Sequence, residues 1–241
     1  DVALTPKGTG SLLAQIPNDA ASGGAKRGTN AIDLQMSRTT AAQVASGNYA
    51  TIGGGSNNTS SGNNSSVNGG TSNIASGQSS SVGGGSINTA NSIGSTISGG
   101  NSNLASNSNT TIGGGNGNVA SGTTATIGGG DVNTAGGLNS TVSGGNSNNA
   151  TGTGSTISGG GVNIANNTYS SIGGGHSNTA SGAYSRVSGG RGNTERVPAA
   201  GRCARFVGAR DRSWPGTGRR CWRSGDPTGA GGETSSAPDG P

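Results

Sequence analysis

Between Gln43 and Thr194 the chain sets one Ile or Val every fifteen residues into a background of Ser, Thr, Asn and Gly. The aliphatic column reads Ile52, Val67, Val82, Ile97, Ile112, Ile127, Val142, Ile157, Ile172 and Val187, with no insertion or deletion between copies. Gly-Gly follows two residues later in every copy, from Gly54-Gly55 to Gly189-Gly190. Six residues after the aliphatic position stands Asn without exception: Asn58, Asn73, Asn88, Asn103, Asn118, Asn133, Asn148, Asn163, Asn178 and Asn193. Two further on is Ala in eight copies, with Ser60 in the first and Glu195 after the last. A typical unit, Ser171 to Ser185, reads SIGGGHSNTASGAYS. Identity at a fixed short period marks a solenoid in which each repeat is one coil stacked on its neighbours.

Fifteen residues are too few for a helix pair, and the Gly pair in each unit rules out a stable helix through it. Ser/Thr followed by Ile/Val suits a short strand. Alternation puts Ala50, Ile52 and Gly54 on one side of one strand, and Asn73, Ala75 and Gly77 on one side of the other. Gly-Gly and the later Ser-Gly, as at Ser76-Gly77, are read as the two turns of each coil, where positive φ or close backbone approach is needed. The predicted fold is all-β, a parallel β-roll or solenoid of about ten coils, roughly 48 Å long at the spacing of neighbouring strands.

The Asn column predicts a ladder in which each amide donates to the coil on one side and accepts from the other. On that reading loss of Asn118, in the middle, costs more than loss of Asn58, near the end. Reaching backbone groups in a turn is the alternative role for the same residue. Each coil's dependable apolar load is one Ile or Val and one Ala, little against the entropy of ordering fifteen residues. Burial against further chains is therefore expected. Further apolar residues flank the Asn column: Ile74, Leu104, Val119 and Ile164 just after it, Ile87, Val132 and Val162 just before it.

The pattern S-x-I-G-G-G-x-x-N-x-A-S-G-x-x resembles the head repeats of YadA-like trimeric autotransporter adhesins, whose basic motif is S-V-A-I-G-x-x-S-x-A-x-G-x-x-A. The likeness covers about 150 of the 241 residues; the period is fifteen rather than fourteen, and Asn stands where the family often has Ser. The resemblance implies a left-handed roll, a homotrimer, display on a bacterial surface with an outer-membrane anchor in the full-length protein, and binding to host matrix or cell-surface ligands. Similar repeats occur in phage tail-fibre-like proteins. The alternative functions are thus a tail-fibre shaft on a virion or, from the Thr/Ser row running Thr51, Ser66, Ser81, Thr96, an ice-binding solenoid.

Composition changes this picture little. Gly makes up 52 residues and aromatics 2%, values that on their own suggest disorder, but the strict period overrides them. The net charge of +5 is a property of the ends, since residues 43–194 carry only Arg186, Arg191 and Asp131 as formal charges. Residues 1–42 are read as an N-terminal cap or leader, with apolar stretches at Leu12–Ile16 and at the alternating Ile32, Leu34 and Met36. Residues 195–241, which hold both Cys, both Trp and eight Arg, are read as an irregular tail, disordered or frameshifted. The opening Asp1 is read as the start of a processed product or a fragment. Arg not interleaved with aromatics gives no nucleic-acid signature, and no apolar run suits direct membrane insertion. No Ser/His/Asp or paired-carboxylate set, no nucleotide loop and no metal-ligand spacing can be assembled in the repeats, so the reading is non-enzymatic, with no catalytic residue, metal or cofactor. His176, alone of its kind, is read as a solvated turn residue.

Overall fold

The computed structural model describes residues 12–13 and 15–196. These residues form an all-β parallel solenoid of about eleven turns, with no helix among them. One twelve-stranded sheet runs Leu12–Leu13, Ile32–Asp33, Thr51–Ile52, Ser66–Val67 and onward every fifteen residues to Arg186–Val187. A ten-stranded sheet runs from Thr59–Ser60 through Ile74–Ala75 to Thr194–Glu195. Every pairing is parallel and in register, so that Ile52 lies beside Val67 and Ala75 beside Ala90. A one-residue register slip would turn each Ile out of the core, so the single aliphatic position per coil fixes the stack.

Three ladders hold each coil, where two strands were expected. Four residues after the aliphatic position a single-residue parallel bridge repeats from Ser37 and Ser56 through Asp131 to His176 and Arg191. The bends also differ from expectation. The second Gly of the pair is one bend, at φ +82 for Gly55 and +94 for Gly190. The Gly of the Ser-Gly dipeptide is required by close backbone approach and not by positive φ, since a Cβ at Gly62 would lie 2.0 Å from Gly77 O; the left-handed residue falls two beyond it, at Asn64, Ser79, Gly94 and their equivalents, with φ +51 to +65. A third bend sits just before the Asn column, at Asn57, Ser72, Ile87 and onward. Left-handed backbone at three places per coil limits each strand to two residues.

The interior is one Ile or Val, one Asn and one Ala per coil, closed by a small residue two positions before the aliphatic one. Ile52 to Val187 are 0–4% exposed. In the closing column Ser65, Ser80 and Ser95 turn their hydroxyls onto carbonyls three residues earlier, at 2.6–2.8 Å. The buried hydroxyls of Ser140, Ser155 and Ser185 in the same column find no such partner, so the column is set by small size as much as by hydrogen bonding.

The N-terminal segment continues the solenoid instead of standing apart from it. Leu12–Leu13 pairs with Ile32–Asp33, and that strand with Thr51–Ile52. Ala45 bridges to Ser60, extending the second ladder by one coil. In the Ile32–Met36 stretch, however, the apolar set faces outward: Ile32, Leu34 and Met36 are 37–67% exposed, while Asp33 and Gln35 are fully buried. Asp33 takes the place of the core Ile, and it is neutralised from two sides. Arg27 Nε donates to Asp33 Oδ2 at 2.8 Å and Arg38 Nη2 to the same oxygen at 3.4 Å. Both guanidiniums also donate to backbone carbonyls, Arg27 to Gly23 O and Arg38 to Gln35 O, so the one acid in the core column is held paired instead of being left as a lone buried charge. The last strand, Thr194–Glu195, runs one residue past the expected end of the repeats. The tail assigned to 195–241 otherwise lies outside the described residues, as do the side chains of Leu12 and Leu13.

Candidate binding surface

The Asn column is internal. Nine of its ten residues are buried, and Asn193 is half-buried. Asn118 shows the pattern: Nδ2 donates to Gly114 O at 3.0 Å in its own coil and to Gly130 O at 2.9 Å in the next, while Oδ1 accepts the Asn133 N–H at 2.9 Å. Every contact of the side chain thus goes to its own coil or the one after. This corrects the expected ladder, in which amides would bond amides on both sides. Amide-to-amide bonds occur at only some rungs, such as Asn103 Nδ2 to Asn88 Oδ1 at 3.1 Å. The physical reason is competition: the bend leaves one carbonyl and one N–H without backbone partners and a second carbonyl with room for another donor, and serving them outweighs stacking amide on amide.

The same geometry ties the Gly pair to the Asn. The first Gly presents its carbonyl to the Asn of its own coil, as Gly54 does to Asn58 at 3.0 Å. The second cannot carry a side chain: at Gly55 a Cβ would lie 2.1 Å from Gly70 O and 2.9 Å from Asn58 Nδ2. Gly-Gly and Asn are one device that joins each coil to its successor.

Asn58 has the same complement as Asn118, bonding Gly54 O, Gly70 O and the Asn73 N–H. Its own N–H is received by Gln35 Oε1 at 2.9 Å, and Gln35 Nε2 returns a bond to Asn58 O at 2.8 Å. Gln35 is therefore rung zero of the ladder, a role not visible in the sequence because it falls outside the fifteen-residue register. The short-handed rung is Asn193, whose amide holds Gly189 O alone among the described residues. The expectation that loss of Asn58 costs less than loss of Asn118 thus has no basis in the number of bonds each side chain makes.

The Asn and aliphatic columns, being interior, hold the scaffold; contact with anything else belongs to the outward columns. On the first sheet these are Thr51, Ser66 and their equivalents; beside the Asn column, Ile74 and Ile164 are each 37% exposed. At the bend before the Asn column, Ile87, Val132 and Val162 are 44–57% exposed with φ +53 to +59. Left-handed backbone strains a β-branched residue, since its Cβ substituents crowd the following carbonyl. Along the third ladder Asn101 Nδ2 donates to Asn116 Oδ1, Asn116 Nδ2 to Asp131 Oδ1 and Asn146 Nδ2 to Asp131 Oδ2, at 2.8–2.9 Å. His176 is exposed on this ladder, its Nδ1 at 2.8 Å from Ser177 Oγ. Burial lowers the Arg38 pKa, an effect opposed by the charge of Asp33 and reinforced by Arg27.

Sequence reasoning missed one surface feature that the period could have revealed. All three tyrosines of the chain, Tyr49, Tyr169 and Tyr184, occupy the same bend position, twelve residues after the aliphatic column. Tyr169 and Tyr184 stack, with ring centroids 5.4 Å apart and planes inclined by 23°. Among the described residues no helix is long and apolar enough to cross a membrane. No protein-family model matches the chain, and no curated protein matches it significantly.

Proposed function

We propose that this chain is a segment of a non-enzymatic, homotrimeric bacterial surface adhesin that binds host matrix or cell-surface ligands by multivalent display. The observation that carries the reading is the outward placement of strained apolar residues on an otherwise polar rod. Ile87, Val132 and Val162 hold left-handed backbone while about half exposed. In an isolated chain that conformation costs about 1–3 kcal/mol per residue and gains nothing. Against neighbouring copies the same side chains, with Ile74 and Ile164 on the other side of the Asn column, become an interface core. Ten near-identical coils on each of three chains then multiply weak polar contacts into useful avidity. The resemblance of the repeats to YadA-like heads points the same way.

Solution sizing of the full chain tests the assembly, with three copies as the expected result. A trimer enforced by a fused coiled coil should adhere to matrix-coated or cell surfaces, and a monomeric form should not. A stable monomer that adheres equally well refutes both the assembly and the avidity. A trimer that adheres to nothing favours the shaft of a phage tail fibre.

A further inference from the structure

We infer that the Tyr169–Tyr184 stack is a binding site for a glycan, the rings receiving the flat C–H face of a pyranose. The inference rests on the adhesive reading above and names the ligand class of one of its sites.

The stack is built, not incidental. Its bend position holds left-handed backbone in every described coil, and apart from Tyr49 it elsewhere carries Asn, Ser, Thr or Gly, residues that are small or favour that conformation. Tyr169 and Tyr184 sit there at φ +51 and +60. Gly154, one coil before Tyr169, leaves room for the ring: a Cβ there would lie 2.6 Å from Tyr169 Cδ1 and Cε1. Tyr169 thus leans back over Gly154, and Tyr184 stacks on Tyr169. The backbone beneath is pinned to the coil before, Tyr169 N–H to Thr153 O and Tyr184 N–H to Thr168 O, both at 2.8 Å. The pair is rigid yet remains 54% and 73% exposed. Large aromatic area held at low entropic cost is the usual anchor of a recognition surface.

The surroundings select the ligand. Residues 132–185 contain no Asp, Glu, Lys or Arg, and the nearest formal charge is the exposed Arg186, two residues beyond Tyr184, so nothing at the stack favours a cationic partner. The adjoining column supplies Thr153 and Thr168 hydroxyls beside the apolar Leu138, which is 47% exposed. A pyranose matches that mixture, with an apolar face for the rings and hydroxyls at its rim. A proline-rich helix would need an aromatic-lined groove, whereas these rings stand on a bend.

The test uses the full chain and N-acetylglucosamine hexamer as probe, followed by saturation-transfer NMR and titration. Tyr169→Asn and Tyr184→Asn are the informative variants, because Asn64, Asn109 and Asn139 already occupy this position at φ +56 to +57 and the fold accepts them. Tyr49→Asn is the control, since Tyr49 shares the position without a stacking partner. The hexamer should bind the wild type and Tyr49→Asn alike and bind either stack variant about tenfold or more weakly. No binding, or equal binding by all four proteins, overturns the inference. So does binding of a (Pro-Pro-Gly) triple-helical peptide at the stack in place of the hexamer, which would assign the site to proline-rich chains. Surface adhesion of the same variants as trimers separates this inference from the broader reading. Adhesion without sugar binding refutes the glycan site alone, and sugar binding without adhesion refutes the adhesive role alone.

Discussion

Replacing Asn118 by Ala removes three hydrogen bonds at once from the middle of the rod. The Asn133 N–H, buried and received only by Asn118 Oδ1, is left without a partner, at about 1–3 kcal/mol. Gly130 O keeps a bond from the Asn116 N–H at 2.9 Å, and Gly114 O is open enough for water to replace the lost donor. These two losses add about 0.5–1 kcal/mol each, for a total near 3 kcal/mol. Asn193→Ala, which loses only the bond to Gly189 O at 2.7 Å, should cost about 1 kcal/mol, and Asn58→Ala should match Asn118→Ala. Denaturant unfolding of the three variants gives the totals. Because stacked repeats open locally, amide exchange is the sharper readout: the Asn133 amide should lose protection in Asn118→Ala while amides several coils away keep theirs. Equal small losses for Asn118 and Asn193, or an Asn133 amide that remains protected, would refute the one-directional ladder.

Gly115→Ala, at φ +88 with a Cβ that would meet Gly130 O at 2.0 Å, should destabilise by more than about 3 kcal/mol in thermal unfolding, whereas Gly99→Ala, with open space around its Cβ, should lose far less. Asp33→Ala should strand Arg27 and Arg38 and cost about 3–5 kcal/mol, seen first as lost exchange protection in the N-terminal coils. Val132→Asn should relieve strained backbone, stabilising the isolated chain by about 1 kcal/mol while weakening self-association in sedimentation; loss of stability in the isolated chain would remove the strain argument for assembly.

What the period could show, it showed. A buried Ile or Val and a buried Ala recur because burial demands an apolar residue each time, so Ile52, Ala75 and their successors stand out by type. The second Gly of the pair is equally legible, because both its φ and its space exclude every other residue. The bends at Asn57 and Asn64 were not legible, since their requirement is on the backbone alone. Asn, Ser, Thr, Gly, Ile, Val and Tyr all meet it at differing cost, and no residue type marks the column. The cap misled in the opposite way. Ile32, Leu34 and Met36 alternate as an amphipathic strand should, yet Asp33 and Gln35 take the interior, because Arg27 and Arg38 pair the carboxylate and the Gln35 amide serves the backbone of Gln43 and Asn58. The direction of the Asn contacts was likewise hidden: an invariant amide says that something is bonded, and not in which coil its partner lies.

That direction bears on how the length of such a rod can change. Each Asn from Asn58 to Asn178 bonds forward to the following coil through the same atoms at closely similar distances, and Asn103, Asn163 and Asn178 add a bond back to the Asn before. An interior coil therefore carries little record of its own place in the series; the ends differ, Gln35 as the start and the short-handed Asn193 as the last described rung. Duplication or in-frame loss of any fifteen-residue unit leaves every remaining junction identical to those already present. Length becomes a trait that varies in whole steps at almost no structural penalty, and the reach of the molecule can be inherited separately from its chemistry.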